Sequence, residues 1–332
     1  MTGHKLVTPA DVRQWITFAH GSPHYHHLAE VIASDPDLMR VLNRIEHTPN
    51  TNVLFAGVQF LMKKGEGANL AEYFPNFTPE PLALAEVDCH FKDFVLNHED
   101  RLVEIGGVRF TQTNECRRCT ALLPGVWETP IDRFHLIDVG CSAGLNLALD
   151  RYGYRWGDLA WGIDSSLTLE SELRGRGPSV RDIEVLSRIG LDLNPIYPTD
   201  SDDRLWLWSL IWPEQHSRRE RLVAALELLK DCPMDFVSGD ATMSLNDVLT
   251  RLPAGEPVIV MNSFAMNQFS PAMREDLEMT VARHRANREI YRISFEVYNS
   301  PNQWASLQID NGSGFEIVGQ AHIHGEWLEL YV

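Results

Sequence analysis

The segment from His135 to Asn146 joins an apolar stretch to a turn of small residues and reads H-L-I-D-V-G-C-S-A-G-L-N. An apolar strand that ends near Asp138 and bends at Gly140 would bring the backbone close to a ligand, because glycine adopts backbone angles that other residues resist. A helix beginning near residue 144 would direct free N–H groups at that ligand. The small residues that permit this approach are Ser142, Ala143 and Gly144. The pattern predicts a nucleotide-binding loop.

A carboxylate two residues before the first glycine sets this loop apart from a dinucleotide site. The dinucleotide fingerprint is G-x-G-x-x-G, whereas Ser142 takes the place of the middle glycine here and the final glycine is absent. Asp138 would repel a pyrophosphate but would suit a cation, such as the amino group of a methionine moiety. The pattern resembles motif I of class I S-adenosylmethionine-dependent methyltransferases. The alternative is a strand-to-helix turn that binds no ligand.

An acidic residue at the end of the second strand hydrogen-bonds ribose hydroxyls in nucleotide-binding folds of this type. Asp192 has that position in the stretch I-G-L-D-L-N-P, where an apolar strand is followed by Asn-Pro. Asp164 is the rival, because it follows Gly144 by the usual separation of about twenty residues. We favour Asp192, and both assignments stay open from sequence alone.

Two further strand ends complete the predicted cofactor site. Asp240, followed by Ala241, lies where methyltransferases of this class commonly contact the adenine amino group, although an aspartate there equally suits the N-cap of the next helix. Asn262 and Ser263 follow the fourth strand at the carboxyl edge, where open α/β sheets bind ligands. They do not form the Asn-Pro-Pro-Tyr motif expected for amino-group methylation, so the type of methyl acceptor does not follow.

The elements that must position these residues begin at about residue 134, where short apolar runs alternate with helical stretches. This alternation is typical of βαβ units and a mainly parallel sheet. The predicted strands lie near 134–139, 188–192, 234–238, 257–262 and 290–297. The predicted helices lie near 144–151, 203–230 with a break at Pro213, 243–251 and 271–288. Antiparallel strands are expected at the end of the chain, around an Asn311–Gly312 turn, over Trp304–Asp310, Phe315–Ala321 and Trp327–Val332.

The first 128 residues predict helices only, since apolar residues recur there at helical spacing without strand-like alternation. A long helix is expected from about Ala83 to Ile105, ending at the Gly106–Gly107 pair. The predicted fold class is α/β: an all-helical N-terminal or cap domain over 1–128, then a Rossmann-like class I methyltransferase domain over 129–332. That second domain has a mainly parallel sheet, an antiparallel C-terminal hairpin and an insertion at about 152–187.

Composition narrows the class of partner. The 332 residues carry a formal net charge of −17, which repels a phosphate backbone or an anionic bilayer, so neither nucleic acid nor a membrane is expected as a partner. The one dense basic cluster, at Arg218, Arg219 and Arg221, is typical of a solvated helix face. No signal peptide or membrane-length apolar run is recognisable, and five thinly spread cysteines suit a reducing cytoplasm.

Two short clusters raise the question of a metal. Cys116 and Cys119 form one C-x-x-C pair, and a zinc site would need two more ligands. His24 and His27 would lie one helical turn apart, but the sequence shows no acidic partner beside them. We therefore expect no metal at either place.

Beyond motif I, three stretches together are similar to an uncharacterised bacterial family called domain of unknown function 2332. The stretches are Arg109–Cys119 (R-F-T-Q-T-N-E-C-R-R-C), Trp212–Gln215 (W-P-E-Q) and His322–Leu328 (H-I-H-G-E-W-L). The similarity covers nearly the whole chain, from Ser22–Tyr25 (S-P-H-Y) to the C-terminus. That family is grouped with Rossmann methyltransferase-like folds, so the resemblance implies a fold but brings no established reaction or substrate.

These stretches suggest where an acceptor would bind. The polar run before motif I either lines a pocket over the methyl donor or caps a short helix, and Glu214, Gln215 and Arg218 either approach the same pocket or form a solvated helix turn. His324 is a candidate base, because an ordinary histidine pKa of about 6.5 suits proton removal. The substrate-binding candidates are Gln112, Asn114, Glu115, Arg118 and Ser263, and the catalytic candidates are His324 and Glu115.

The sequence therefore predicts an S-adenosylmethionine-dependent methyltransferase that acts on a small or medium-sized molecule. Methyl transfer from a sulfonium is intrinsically favourable, so alignment matters more than a dedicated base. Two alternatives remain: a non-catalytic binding or regulatory module with the same fold, and a nicotinamide-dependent oxidoreductase. The oligomeric state does not follow from the sequence.

Overall fold

The computed structural model describes residues 6–17, 21–47, 49–297 and 304–331. By their contacts, these residues form two compact units. The first unit combines the chain up to residue 113 with residues 200–220, and the second combines residues 114–199 with the chain from residue 221 onwards. Each unit is therefore assembled from two separate stretches of chain.

The described part of the first unit contains helices and no strands. Among its helices, α1, α2 and α3 each begin with a proline that follows a capping Thr, Ser or Asp, a pairing that pre-sets the first helical turn. None of the described helices is long and apolar enough to cross a membrane. In chain order, the α-helices up to residue 228 are α1 (Pro9–Ile16), α2 (Pro23–Ser34), α3 (Pro36–Leu42), α4 (Asn50–Lys63), α5 (Ala68–Ala71), α6 (Val87–Asn97), α7 (Glu99–Val108), α8 (Cys119–Trp127), α9 (Ser201–Ser209) and α10 (His216–Leu228). Of these, α8 belongs to the second unit and α10 contains residues of both units.

The predicted single helix over 83–105 is wrong, because the chain breaks at His98 into α6 and α7. The His98 ring nitrogen Nδ1 lies 2.8 Å from the carbonyl oxygen of Phe94, and its backbone leaves the helical region. Glu99 and Asp100 then start α7, where acidic side chains favour a helix N-terminus. A stretch whose apolar spacing is continuous is thus divided at His98, where the side chain also bonds the backbone of the preceding turn.

The described part of the second unit contains a mostly parallel, 11-stranded sheet, so the fold is mixed α/β. The order across the sheet is β3-β2-β4-β11-β10-β9-β8-β7-β1-β5-β6. The strands are β1 (Arg133–Val139), β2 (Gly153–Trp156), β3 (Leu159–Trp161), β4 (Thr168–Gly175), β5 (Glu184–Asp192), β6 (Asp235–Ser238), β7 (Val258–Ser263), β8 (Ile290–Glu296), β9 (Trp304–Asp310), β10 (Phe315–His322) and β11 (Trp327–Leu330).

Five neighbouring strands, β6-β5-β1-β7-β8, run parallel, and β1 lies at their centre. Their positions confirm the five strands predicted from the apolar runs. Strand β1 pairs with β5 on one side and with β7 on the other. In open α/β sheets, ligands bind at the carboxyl ends of strands placed in this way. One face of these strands is buried under α11 (Ala241–Arg251) and α12 (Pro271–Arg285) by Ile137, Leu191, Val260, Leu245 and Leu277.

The chain end continues the sheet as an antiparallel meander from β8 through β9 and β10 to β11, which confirms the predicted antiparallel strands. The turn between β9 and β10 contains Gly312, whose φ of +112° requires glycine. Strand β11 then pairs in parallel with β4, so strands from the predicted insertion extend the same sheet to its far edge.

Candidate functional site

The turn after β1 contains two glycines with positive φ and one non-glycine residue whose backbone is strained in the same way. Gly140 and Gly144 have φ values of +79° and +72°, as the predicted loop requires. Ser142 also has a positive φ, of 49°. Among the described residues only one other non-glycine residue, Phe264, has a positive φ (58°), and it directly follows β7, the neighbour of β1. Strained backbone persists where the surroundings enforce it, and it concentrates at functional sites.

The glycines in this turn also solve a packing problem. A Cβ at Gly140 would lie 2.4 Å from the Cβ of Ala265, and a Cβ at Gly144 would lie 2.6 Å from the Met234 sulfur. A Cβ at Gly190 on β5 would lie 2.4 Å from the sulfur of Cys141. Only glycine therefore permits the turn to lie this close to its neighbours.

Side chains from two other segments hold the turn through its backbone. Asp192 at the end of β5 accepts hydrogen bonds from the N–H of Ser142 and of Asn194, each at 2.8 Å. Asn114 donates to the Ser142 hydroxyl at 2.9 Å and accepts a long bond of 3.4 Å from the N–H of Ala143. The N–H groups that a phosphate would need are thus already engaged by protein oxygens.

The predicted helix over 144–151 is wrong. Only a 3-10 turn, Leu145–Ala148, follows the loop, and strand β2 begins five residues later. The Tyr152 hydroxyl donates to the carbonyl of Leu145, and the Tyr154 hydroxyl donates to that of Leu149. Because these hydroxyls occupy carbonyls that a continuing helix would use, the chain turns back into the sheet instead. The site therefore lacks the helix N-terminus that was expected at residue 144, together with the free N–H groups that such a terminus would direct at a ligand.

Asp138, the next-to-last residue of β1, is fully buried. Neither of its carboxyl oxygens has a hydrogen-bond partner among the described residues. Burial and then the negative charge of Asp192 raise the pKa of Asp138 well above its ordinary value, while the Asn146 side chain and the Arg118 guanidinium offset part of that shift. A buried carboxyl without partners is costly, so it is an unusual feature of a native core.

The end of β7 is tied to the end of β8 by a buried polar network. The side-chain nitrogen of Asn262 donates to the Ser294 hydroxyl at 3.0 Å and to Glu296 Oε1 at 2.8 Å. The same Glu296 oxygen accepts the backbone N–H groups of Ala265 and Met266. Burial raises the pKa of Glu296, and these donors oppose the rise. The amide nitrogen of Asn262 is thus committed to holding the turn that carries Phe264.

Ser263, the last residue of β7, is buried, and its hydroxyl has no hydrogen-bond partner among the described residues. The residue therefore places a second unsatisfied polar side chain at the carboxyl edge of the sheet, in addition to Asp138.

The structure gives Asp240 the capping role that was its alternative assignment. Its Oδ1 accepts the N–H and the hydroxyl of Thr242, each at 2.8 Å, at the start of α11. Ala241 is the buried first residue of that helix. Asp240 remains half-buried and lies after β6, beside β5 in the sheet.

Asp192 and Asp164 are placed very differently. Asp192 ends β5, next to β1, and contacts the loop directly. Asp164 is exposed just after β3, which is the opposite edge strand of the sheet. Of the two rivals, only Asp192 is brought to the loop by the fold.

The polar run before β1 is divided by the fold. Gln112 and Thr113 belong to the first unit, whereas Asn114, Glu115 and Arg118 belong to the second. Glu115 is buried, caps the Cys116–Arg118 turn through the N–H of Arg117, and pairs with Arg221 at 3.1 Å.

The Arg118 guanidinium lies 4.1 Å from the ring centre of Phe264, and its Nε donates to the carbonyl of Ile323. Arg118 therefore links the start of α8 to the strained residue after β7 and to the turn that follows β10.

His324 lies in that turn, between β10 and β11. Its carbonyl accepts a bond of 2.8 Å from Arg117, and its ring centre is 5.7 Å from that of His322. A Cβ at Gly325 would lie 2.1 Å from the carbonyl oxygen of Arg117. The part of the Arg109–Cys119 stretch that belongs to the second unit is thus packed against the stretch at His322–Leu328.

The third stretch, Trp212–Gln215, contacts the segment Ser22–Tyr25, where the similarity begins, within the first unit. Glu214 accepts the Ser22 hydroxyl at 2.7 Å and the backbone N–H of His24 at 2.9 Å, so it caps α2. Gln215 accepts a hydrogen bond from Arg218 at 3.1 Å. The predicted solvated face at Arg218–Arg221 is wrong, because Arg219 is buried and donates to the carbonyl of Ile211.

The cysteine and histidine pairs that raised the question of a metal lie in ordinary protein surroundings. Cys116 and Cys119 are free thiols, both buried, and burial raises the pKa of each. The ring of His24 lies 4.1 Å from Phe74, while His27 contacts Asp88 at 2.6 Å, an acidic partner that the sequence did not reveal. Among the described residues, no group of three or more His, Cys, Asp or Glu side chains is arranged to hold a metal.

Sequence reasoning missed Glu296 and Asn146, both of which act on Asp138 or its surroundings. A signal for Glu296 was present, since it is an acidic residue at the end of an otherwise apolar strand, as Asp138 is in β1. Arg221 was also missed, and no local pattern connects it with Glu115, which lies 106 residues earlier.

The fold and this cluster define a mixed α/β protein with buried acidic groups at the carboxyl edge of its parallel strands. The chain matches, over residues 15–330, the model of the family described as an uncharacterized protein conserved in bacteria (DUF2332), and it belongs to that family. No curated protein and no solved structure matches the chain.

Proposed function

We propose that the protein is an S-adenosylmethionine-dependent methyltransferase with a Rossmann-like fold that acts on a small or medium-sized molecule. One observation carries the proposal: Asp138 and Asp192 end neighbouring parallel strands on either side of a glycine turn whose N–H groups are already engaged. Such a place disfavours a pyrophosphate, which needs free N–H donors, and favours a ligand that carries positive charge. The order of the five parallel strands supports the Rossmann-like class.

The residues present fit such a ligand at the atoms that lack partners. The unsatisfied oxygens of Asp138 would accept the donor's amino group. Asp192, whose carboxylate accepts the backbone N–H groups of Ser142 and Asn194 at the end of β5, would contact a ribose hydroxyl. Gly140, Ser142, Ala143 and Gly144 would form the floor of the pocket, and the half-buried Asp240 beside Ala241 would contact the adenine. Asn262 would contribute indirectly, by helping to hold the turn after β7 next to the cofactor.

The acceptor side would be formed by polar residues of the second unit, namely Asn114, Glu115, Arg118 and Ser263. A bound sulfonium donor supplies a methyl group that is already activated for displacement. The protein's own contribution is to align the acceptor and to exclude water, which can account for a large part of a rate enhancement. Glu115 is engaged with Arg221, so its role would be to fix the start of α8, and His324 stays a candidate base.

Ligand-dependent stability tests the binding step. Purified full-length protein should show a higher Tm with S-adenosylmethionine and with S-adenosylhomocysteine, because a ligand that binds only the native state stabilises it by about 2.7 kcal/mol at a concentration of 100 Kd. NADH should leave the Tm unchanged. Asp138→Asn should abolish the shift, whereas Asp158→Asn, in the exposed turn between β2 and β3, should retain it. A shift with NADH alone would exclude this function.

A binding module without transferase activity is the second candidate. It is favoured by the side chain of Asn262 near the end of β7, because the nitrogen of this amide donates hydrogen bonds to Ser294 and Glu296 of the protein itself. A methyl-transfer assay over a panel of small metabolites, read as formation of S-adenosylhomocysteine, separates the two. Turnover with any acceptor supports the enzyme, and binding without turnover supports the module.

A further inference from the structure

Asp138 is surrounded by more negative than positive charge. Its side chain is 0% exposed, and both oxygens lack hydrogen bonds among the described residues. The groups that act on the charge of Asp138 are Asp192 from β5, Glu296 from β8, Arg118 from the turn before α8, and the side chain of Asn146. Two thiols, Cys119 and Cys141, are also close enough for a charge on Asp138 to affect them.

The single cation in this set is not dedicated to Asp138. Arg118 donates its Nε to the carbonyl of Ile323 and stacks on Phe264, and its charge acts on Glu296 as well as on Asp138. The Asn146 side chain and the Arg118 charge offset only part of the cost of burying Asp138. An ionised carboxylate that is fully buried and incompletely hydrogen-bonded is destabilised, so such a group takes up a proton instead. Burial, with the neighbouring charge of Asp192, raises the pKa of Asp138 accordingly.

We infer that Asp138 is a neutral carboxylic acid in the ligand-free protein and that a cationic amino group displaces its proton on binding. The step balances as follows: the carboxylic acid and the ammonium group give a carboxylate–ammonium pair, and one proton passes to the solvent. The ligand part of this inference rests on the proposed function.

Calorimetry measures the displaced proton directly. S-adenosylhomocysteine should bind the wild-type protein at pH 7 with different enthalpies in phosphate and in Tris, and the difference should correspond to about one proton, since one carboxyl ionises. Methylthioadenosine keeps the adenine but lacks the amino-acid moiety and its α-ammonium group, so its binding enthalpy should be the same in both buffers after each is corrected for dilution. Equal enthalpies for S-adenosylhomocysteine in the two buffers would overturn the inference while leaving the proposed function intact.

A second measurement needs no ligand. Because the folded state would keep the Asp138 proton to a higher pH than the unfolded state, stability should fall as pH rises above the ordinary range of an aspartate. Asp138→Asn cannot titrate, so it should be the more stable protein at pH 7. Its advantage in the ratio of folded to unfolded protein should grow by up to tenfold for each pH unit between 5 and 7.

The two measurements separate the possible failures. If the advantage of Asp138→Asn does not change between pH 5 and 7, Asp138 is not protonated and the inference is wrong. If the advantage grows but no adenosine ligand binds, the carboxyl is neutral as inferred while the proposed function and the ligand part both fail. Asp158→Asn is the control for both measurements, because its carboxyl is exposed and should show neither effect.

Discussion

The carboxylate of Asp192 accepts the backbone N–H of Ser142 at 2.8 Å, so the end of β5 holds the strained residue of the turn that follows β1. The other oxygen of Asp192 holds the N–H of Asn194 at the same distance. One side chain thus fixes two loops at the carboxyl edge of the sheet. Loss of the Asp192 charge should therefore weaken mainly the hydrogen bonds that hold these two loops.

Asp192→Asn should lower the free energy of unfolding by about 1–3 kcal/mol, because the amide keeps one acceptor oxygen and presents N–H₂ to the other backbone donor. Urea unfolding at pH 7 measures this. The affinity for S-adenosylhomocysteine should fall as well. Asp158→Asn, which is exposed, should change the stability by less than about 0.5 kcal/mol. Wild-type stability in Asp192→Asn would show that the contact with Ser142 is dispensable.

Gly140→Ala should be markedly more destabilising than Gly255→Ala. Both glycines have a φ of +79°, so both substitutions carry the same backbone cost of roughly 1–2 kcal/mol. A Cβ at Gly140 would lie 2.4 Å from Ala265, whereas a Cβ at Gly255 would have no neighbour within 4 Å. Overpacking of this kind adds about 1–3 kcal/mol. Equal destabilisation of the two variants, measured by urea unfolding, would show that the turn moves away from Ala265 without cost.

Glu115→Gln should cost about 3 kcal/mol in the free energy of unfolding, because it leaves the guanidinium of Arg221 without its buried counter-charge. Glu184→Gln is the matched control, since Glu184 forms a comparable pair with Arg133 at 3.0 Å and both side chains are mostly exposed. That substitution should cost less than about 1 kcal/mol. If both variants retain wild-type stability, the buried pair is not a structural tie and Glu115 becomes a stronger catalytic candidate.

Acidification should destabilise the first unit through His24. Burial, with a smaller effect of His27, lowers the pKa of His24 to about 4, and its Nε2 has no hydrogen-bond partner among the described residues. The unfolded state therefore binds the proton first, and stability declines as pH falls from about 6.5 towards 4. The full loss is about 3 kcal/mol, since one pKa unit corresponds to about 1.4 kcal/mol.

Urea unfolding between pH 7 and 4.5 measures this loss for the wild type and for His24→Gln, which cannot titrate. The variant should lose less stability than the wild type over this interval. His26→Gln, at an exposed position on the same helix, should follow the wild-type profile. Parallel profiles for His24→Gln and the wild type would show that His24 does not control the acid response.

Local patterns were sufficient for most of the elements. Short apolar runs placed the five parallel strands, and β1 needed only its apolar run and the glycines after it to be recognised. The helix predicted over 144–151 failed because Tyr152 and Tyr154 bind the carbonyls of Leu145 and Leu149, which is a contact between segments that no periodicity reports. The break at His98 was equally hidden, since the apolar spacing continues across it and the change lies in the backbone angles of one residue.

In the candidate site, too, some residues were predictable from local patterns and others depended on contacts between distant segments. Asp138, Asp192 and the glycine turn were recognised because each directly follows or ends an apolar run. The pairing of Glu115 with Arg221 and the network of Asn262 with Ser294 and Glu296 join residues from 32 to 106 positions apart. Their side-chain types are compatible with many partners, so the sequence left open whether each was a ligand-binding or a structural group.

By itself, the sequence determined where the parallel strands lie and that an acidic residue and a glycine turn follow the first of them. These are properties of consecutive residues, because strand alternation and positive φ are decided within a few positions. Only the tertiary structure decided that Asp138 is buried without a partner, that Asp192 rather than Asp164 reaches the loop, and that Asp240 caps a helix. Burial and charge are set by what folds around a side chain, and that depends on segments far away in the chain.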